Sequence, residues 1–188
     1  MLRKINNFIL DTLFPVDCFF CRKKNVWLCN ECLNKISSLS FQLCPYCEKE
    51  ITQNGSACEK CKNTRLQKNA PLPLDALICS AKYKDVSKFM HLFKYNFISD
   101  LGAPLGEIIL KALWKNNLPL PDLIISVPIH KRKLKWRGFN QAEILAQAIS
   151  QNLTPGFFLP VCSDILIRQK NTRAQMKIRN YQERLANI

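Results

Sequence analysis

Apolar positions change their period several times along the chain, and each change marks a predicted element. Ile5, Phe8, Ile9 and Leu13 recur at helical spacing and stop at Pro15, which predicts a short amphipathic helix packed on whatever follows. Residues 69–73, Asn-Ala-Pro-Leu-Pro, read as a linker. Leu74 to Tyr83 then read as a strand, with Leu77, Ile78, Cys79 and Ala81 available for burial. Val86, Phe89, Met90, Phe93 and Phe97 lie on one helical face, and Leu101, Leu105, Ile108, Ile109, Ala112 and Leu113 on another. Asp100 is a candidate cap for the second helix, and Pro104 fits only in its first turn. Both stripes are expected in a core and not around a cofactor.

After Pro121 comes a nearly continuous apolar run, Asp122 to Pro128, as expected of a parallel strand covered on both faces. A basic loop over 129–138 follows, and Phe139, Ala142, Leu145, Ala146 and Ile149 predict a further helix. Residues 164–168 are a candidate strand, and Ala174, Ile178, Tyr181, Leu185 and Ile188 a candidate last helix. Strands alternating with helices imply an α/β domain with a mostly parallel sheet. Ligands of such sheets bind beyond the carboxyl ends of the strands, where the 129–138 loop begins.

Composition narrows the class. A chain of 188 residues that is 47% apolar, with five glycines and ten prolines, is neither disordered nor collagen-like. No stretch approaches the roughly 18 to 20 apolar residues of a membrane span, so no membrane insertion is expected. Asn6, Asn7 and Asp11 interrupt the first apolar run and no small-residue cleavage site follows, which fits a soluble, cytoplasmic protein. The formal charge is +14, and residues 128–188 hold eleven basic and three acidic side chains. A polyanion is the natural partner for that third, with a merely solvated basic surface as the bland alternative. Lys131, Arg132, Lys133, Lys135 and Arg137 crowd into seven residues beside Trp136, so phosphates could meet the cations while Trp136 or Phe139 stacks on a base. His91 and His130 are expected to be ordinary polar or core residues.

Eight of the ten cysteines form four Cys-x-x-Cys pairs: Cys18/Cys21, Cys29/Cys32, Cys44/Cys47 and Cys58/Cys61. A two-residue gap turns both sulfurs onto one tetrahedral ion, and two such knuckles close a four-thiolate site. Four knuckles therefore suit two structural zinc ions. A disulfide framework and iron–sulfur ligation are the alternatives, the first needing an oxidising compartment to which nothing directs the chain. Sequential pairing closes shorter loops than interleaved pairing, but spacing leaves both open. Closed four-sulfur sites stabilise a fold and do not catalyse. Cys79 and Cys162 stand apart in apolar stretches and are expected to be buried.

Four knuckles, a strand ending in Val127-Pro-Ile-His130, basic residues and Arg137-Gly-Phe-Asn-Gln141 together resemble the ComF family of competence-associated proteins. Leu166 to Gln175 and Arg184-Leu-Ala-Asn187 extend the likeness, which runs from about Leu13 onward. The resemblance implies a double zinc ribbon over 1–68, the linker at 69–73 and a type I phosphoribosyltransferase-like domain over 74–188. It implies that the segment after Pro128 is the pyrophosphate-side loop and that Arg168 to Gln175 form a mobile loop over the ligand. Asn140, Gln141, Arg168 and Arg173 thereby join the basic loop as candidate nucleic-acid or phosphate contacts. The implied role is handling incoming single-stranded DNA during natural transformation, with other proteins of the competence machinery.

Family members continue into a hydrophobic strand and an Asp-Asp-x-x-Thr-Thr-Gly loop that cradles phosphoribosyl pyrophosphate, and this chain carries no such motif. The second domain is therefore expected to be truncated, without bound phosphoribosyl pyrophosphate, turnover or any assigned catalytic residue. Its open sheet edge could be completed by a second polypeptide. A phosphoribosyltransferase acting on a base or amine, and a non-functional remnant, are the alternatives.

Overall fold

The computed structural model describes residues 16–187. The helix expected over Ile5 to Leu13, and Ile188, lie outside the described residues. The first half is built of short pieces: helix α1 (Asn30–Leu33), strands β1 (Gln42–Leu43) and β2 (Ile51–Thr52), and helix α2 (Glu59–Gln67). Strands β1 and β2 pair antiparallel, Gln42 opposite Thr52 and Leu43 opposite Ile51. Two longer helices follow, α3 (Tyr83–Tyr95) and α4 (Gly102–Asn116). Strand β3 (Ile124–Ile125), helices α5 (Lys131–Arg137) and α6 (Gln141–Asn152), and strand β4 (Val161–Cys162) then make a parallel crossover unit, with Ile124 opposite Val161 and Ile125 opposite Cys162. Helix α7 (Tyr181–Ala186) comes last.

The apolar stripes of α3 and α4 are core, as their period requires: Phe89, Phe93 and Leu101 are fully buried, with Leu105, Ile108 and Ala112 close behind. Pro104 sits in the first turn of α4, where its missing N–H is no loss. No side chain caps that helix, so Asp100 does not take the capping role. A second face of α4 carries Gly102 and Gly106, one turn apart. A methyl group on Gly102 would strike Ile144, and one on Gly106 would lie 2.7 Å from the Ala148 methyl, so the α4 backbone packs directly on side chains of α6. Helix α6 is tied in turn to the segment before β4, where the Ser150 hydroxyl donates to the Leu159 carbonyl and the Leu159 N–H to the Ser150 carbonyl.

One hydrophobic cluster joins the first cysteines to these helices. Cys18, Leu28, Cys29, Cys32 and Leu33 pack with Phe89, Phe93, Leu101, Leu105 and Ile108. The Phe19 ring stacks on Trp27 at 5.5 Å and meets Phe89 edge-on at 6.2 Å. The metal-ligand set is thus part of the main core and not an appendage to it.

Several sequence expectations need correction. Leu74 to Lys82 joins no strand ladder, and Tyr83 already opens α3; the segment makes isolated antiparallel bridges, Ala76 with Ser56 and Ala81 with Ser38. The buried Gln42 carboxamide supplies the rest, donating to the Cys79 carbonyl at 3.0 Å and accepting the Cys79 N–H at 2.9 Å, as a neighbouring strand's peptide would. Side chains alternate along this segment, which turns Leu77 and Cys79 outward, so Cys79 is exposed. Cys162 is half-buried. Residues 164–168 form no strand but bends and irregular chain past the end of β4, leaving Ile165, Leu166 and Ile167 exposed. The basic loop holds a helix, α5. The terminal helix is cut to six residues, with Ile178 buried ahead of it and Tyr181 and Leu185 exposed. Phe97 leaves the α3 face altogether, beyond the helix end at φ 59°.

Candidate metal centres and basic cleft

The eight knuckle cysteines form two sets paired in sequence order, Cys18, Cys21, Cys29 and Cys32 in one and Cys44, Cys47, Cys58 and Cys61 in the other. Within each set the sulfurs lie within 4.8 Å of one another. Cys21 and Cys29 are 3.5 Å apart, Cys47 and Cys58 3.9 Å. A tetrahedral zinc with 2.3 Å bonds spaces its sulfurs about 3.8 Å apart, so each set fits that ion. Bound there, zinc would supply a cross-link and no open coordination position.

The two sets are built alike. Each first knuckle turns on a residue with left-handed backbone, Arg22 at φ 64° and Glu48 at φ 55°, whose N–H returns to the carbonyl of Cys18 or Cys44. Each second knuckle opens a helix, Cys29 preceding α1 and Cys58 preceding α2. Electrostatics repeat too. Burial pushes the Cys18 thiol up, but N–H groups of Cys21, Cys29 and Phe20 and the Cys21 side chain outweigh it and bring it down to about 6. Cys44 repeats this with N–H groups of Cys58, Cys47 and Tyr46 and the Cys58 side chain, also reaching about 6. Cys32 is pushed up to about 12 by burial and then by Cys21, Cys29 and Cys18. Cys61 is pushed up to about 12 by Cys58 first, then burial, Cys44 and Cys47. Each set thus holds a thiol brought low, Cys18 or Cys44, and one held high, Cys32 or Cys61, whose proton zinc binding would displace. They differ in depth: three of the first four cysteines are buried, against one of the second four.

The second candidate site lies where both parallel strands end. Five residues separate β3 from helix α5, with the His130 Nδ1 accepting the Arg132 N–H at 3.2 Å. It stops at Gly138, whose φ of 85° lets its N–H reach the Leu134 carbonyl at 2.7 Å. Both histidines have local partners: His130 is this buried cap, and the His91 ring lies 4.8 Å from that of Tyr95. Pro128 to Lys131, Leu134, Ser163 and Leu166 to Gln169 line a cleft of about 440 Å³. On α5, Lys131 and Lys135 share one face and Lys133 and Arg137 another, like charges one turn apart that oppose the helix unless an anion answers them. Burial lowers the Lys133 ammonium below its ordinary value, and the nearby guanidinium groups of Arg168 and Arg137 lower it further. Three cations from two segments therefore converge. Among the described residues the ion pairs join Lys23 to Glu31, Lys60 to Glu50, Lys62 to Glu59 and Lys111 to Glu107, and none neutralises this group.

Other candidates fall into place around it. Trp136 is 61% exposed. Arg137 Nη1 donates to Gln141 Oε1 at 2.6 Å, while its buried Nε has no partner. Asn140 and Gln141 are buried and occupied: Asn140 caps α6 through the Ala142 N–H and donates to the Val127 carbonyl, and Gln141 donates to the Phe93 carbonyl. Arg168 donates to Thr172 Oγ1 at 2.8 Å. Arg173 lies elsewhere, in a shallow concavity with Lys177 and Glu183. Phe139 packs its ring 5.6 Å from Phe93 at the core edge, so it is not a free base platform. The sequence pattern did not single out Phe97 as a surface residue, since its spacing from Phe93 suits a helix that ends before it.

Among the described residues no helix is long and apolar enough to cross a membrane. No protein-family model and no solved structure matches the chain. Curated relatives do. The DNA utilization protein YhgH of Escherichia coli is 32% identical over 146 residues, covering 73% of this chain and 61% of its own length. Competence protein F of Haemophilus influenzae is 28% identical over 171 residues, 86% of this chain and 69% of that protein. Competence protein ComFC of Bacillus subtilis is 22% identical over 166 residues, 80% of this chain and 64% of that protein. The chain therefore spans about three-fifths of the YhgH length. With these relatives matching across most of its length, and with two four-cysteine sets consistent with zinc ribbons, the chain belongs to the ComF family.

Proposed function

We propose that this chain handles single-stranded DNA in the cytoplasm during DNA uptake, as a zinc-stabilised binding protein. The carrying observation is the convergence of Lys133, Arg137 and Arg168, with no ion pair among the described residues to neutralise them, at the carboxyl ends of two parallel strands. Lys131, Arg132 and Lys135 on α5 extend that face. These six cations hold phosphates, Trp136 meets a base, and Asn140 and Gln141 position the helices that present them. Arg173 would touch only a longer strand. The names of the relatives, competence and DNA utilization, support the process. The parallel crossover from β3 to β4 supports a phosphoribosyltransferase-like domain over 74–188, after a ribbon domain over 1–68 and the linker at 69–73. Other competence proteins would be its partners.

Duplex DNA hides the base faces that an exposed Trp136 can meet. Zinc-loaded protein should therefore bind a short labelled single strand more tightly than the duplex of the same sequence, by fluorescence anisotropy. Equal affinities, or none, would overturn the proposal. The cleft's position at the strand ends also suits the alternative, a phosphoribosyltransferase acting on a base or amine. Pyrophosphate released from phosphoribosyl pyrophosphate by the same preparation would establish that activity instead.

A further inference from the structure

Phe97 is the one aromatic residue among the described residues that holds a left-handed backbone. Of the seven non-glycine residues with positive φ, four are asparagines, which tolerate it, whereas Phe97 adopts φ 59° with a bulky side chain. Phe97 is not part of the hydrophobic core cluster and is 39% exposed. It instead meets Trp136 edge to face, with ring centroids 4.9 Å apart at 85°. A T-shaped pair does not stack the two rings face to face, and Trp136 stays 61% exposed beside Phe97. Backbone strain of this kind persists where the surroundings enforce it, and it gathers at functional sites.

The pair has neighbours. The Arg137 guanidinium lies 6.0 Å from the Trp136 ring and 6.0 Å from the Tyr95 ring, and Tyr95 contacts the exposed His91 at 4.8 Å. Ring, ring, cation, ring and ring follow one another from Phe97 to His91, along the side of the cations of α5. We infer that this stripe is the base-side contact of a single-stranded nucleic acid whose phosphates lie on Lys131, Arg132, Lys133, Lys135 and Arg168, with Trp136 and Phe97 as its stacking platform. Charge complementarity selects the occupant: an aromatic stripe bordered by cations with no ion pair among the described residues suits an anionic strand with exposed bases better than an apolar peptide. This inference rests on the DNA-binding proposal above and adds to it a means of reading unstacked bases.

The test compares a short oligothymidylate with an abasic strand carrying the same number of phosphates. Wild-type protein should prefer oligothymidylate. Trp136→Ala and Phe97→Gly should each weaken oligothymidylate binding by about 5- to 100-fold and leave abasic binding nearly unchanged. Trp136→Phe should keep most of the affinity. Glycine accepts the positive φ at position 97, so Phe97→Gly should not lower the melting temperature. A lowered melting temperature with unchanged oligothymidylate affinity would assign the ring a structural role and overturn the inference. Wild-type protein that binds both strands equally would overturn the stripe and leave phosphate holding intact; binding to neither would overturn both.

Discussion

Asn140 accepts the Ala142 N–H with its carboxamide oxygen and donates to the Val127 carbonyl with its nitrogen, so one side chain both starts α6 and ties it to the segment that leaves β3. Asn140→Ala should cost about 0.5–2 kcal/mol through the lost cap, read as a lower melting temperature. Its DNA affinity at fixed salt should stay that of the wild type; a weakened affinity without a lowered melting temperature would make Asn140 a phosphate contact. The cysteines give a pH prediction. Cys18 and Cys44 lie low, so in metal-free protein their thiolates stabilise the fold fully above the ordinary thiol value and lose that contribution as pH falls through about 6. Cys32 and Cys61 lie high, and their contribution is present below the ordinary value and lost as pH rises toward about 12. Zinc binding at neutral pH should therefore release protons from Cys32 and Cys61, and more protons below pH 6, where Cys18 and Cys44 are protonated as well. Calorimetry in buffers of different ionisation enthalpy reads this, and an unchanged release across pH 6 would contradict it. The ligand identities were legible because a two-residue gap admits few purposes. The surface place of Phe97 was not, since it depends on where α3 stops.

Helices long enough to repeat their pattern declared themselves. Helices α3 and α4 each turn several times, and their apolar period alone marks Phe89, Phe93, Leu105 and Ile108 as core. Two-residue strands carry no period, so β4 lies three residues ahead of the apolar run expected to form it. Helix α5 is seven residues of mostly like charge held by its ends, a histidine cap and a left-handed glycine, and neither leaves a hydrophobic trace. The glycine face of α4 is equally silent, because small residues mark close approach by what they lack. Gly106→Val should clash with Ala148 and cost about 1–3 kcal/mol or more. Gly138→Ala meets no atom within 4 Å and should cost about 1 kcal/mol through backbone strain. Denaturant unfolding of both variants checks the order; a costlier Gly138→Ala would mean that α4 and α6 are not in close contact.

Across the whole molecule the metal sets and the basic cleft mark opposite electrostatic regions. A four-thiolate zinc centre is dianionic, so the positive charge that remains gathers toward residues 128–188. The first set is embedded in the main core, whereas the second is held at the periphery by Gln42, by the Leu77 N–H to the Gly55 carbonyl, and by the Tyr46 hydroxyl at Leu74. Spacing announced two sites, but their unequal depth comes from how α3 and α4 pack on Cys18 and Cys29, which no local motif records. Cys58→Ser should yield a folded protein with one zinc, and Cys29→Ser should lose the core along with its zinc. Native mass spectrometry with circular dichroism distinguishes the two, and a folded Cys29→Ser protein would refute the shared core. The central claim, that the cations of α5 hold the phosphates of a single strand, is tested most directly by the salt dependence of oligothymidylate affinity. Wild-type protein should lose affinity steeply with salt, and the Lys131→Ala, Arg132→Ala, Lys135→Ala triple variant should show a log–log slope shallower by about 2. A slope unchanged by the triple substitution, or a wild-type affinity indifferent to salt, would contradict it.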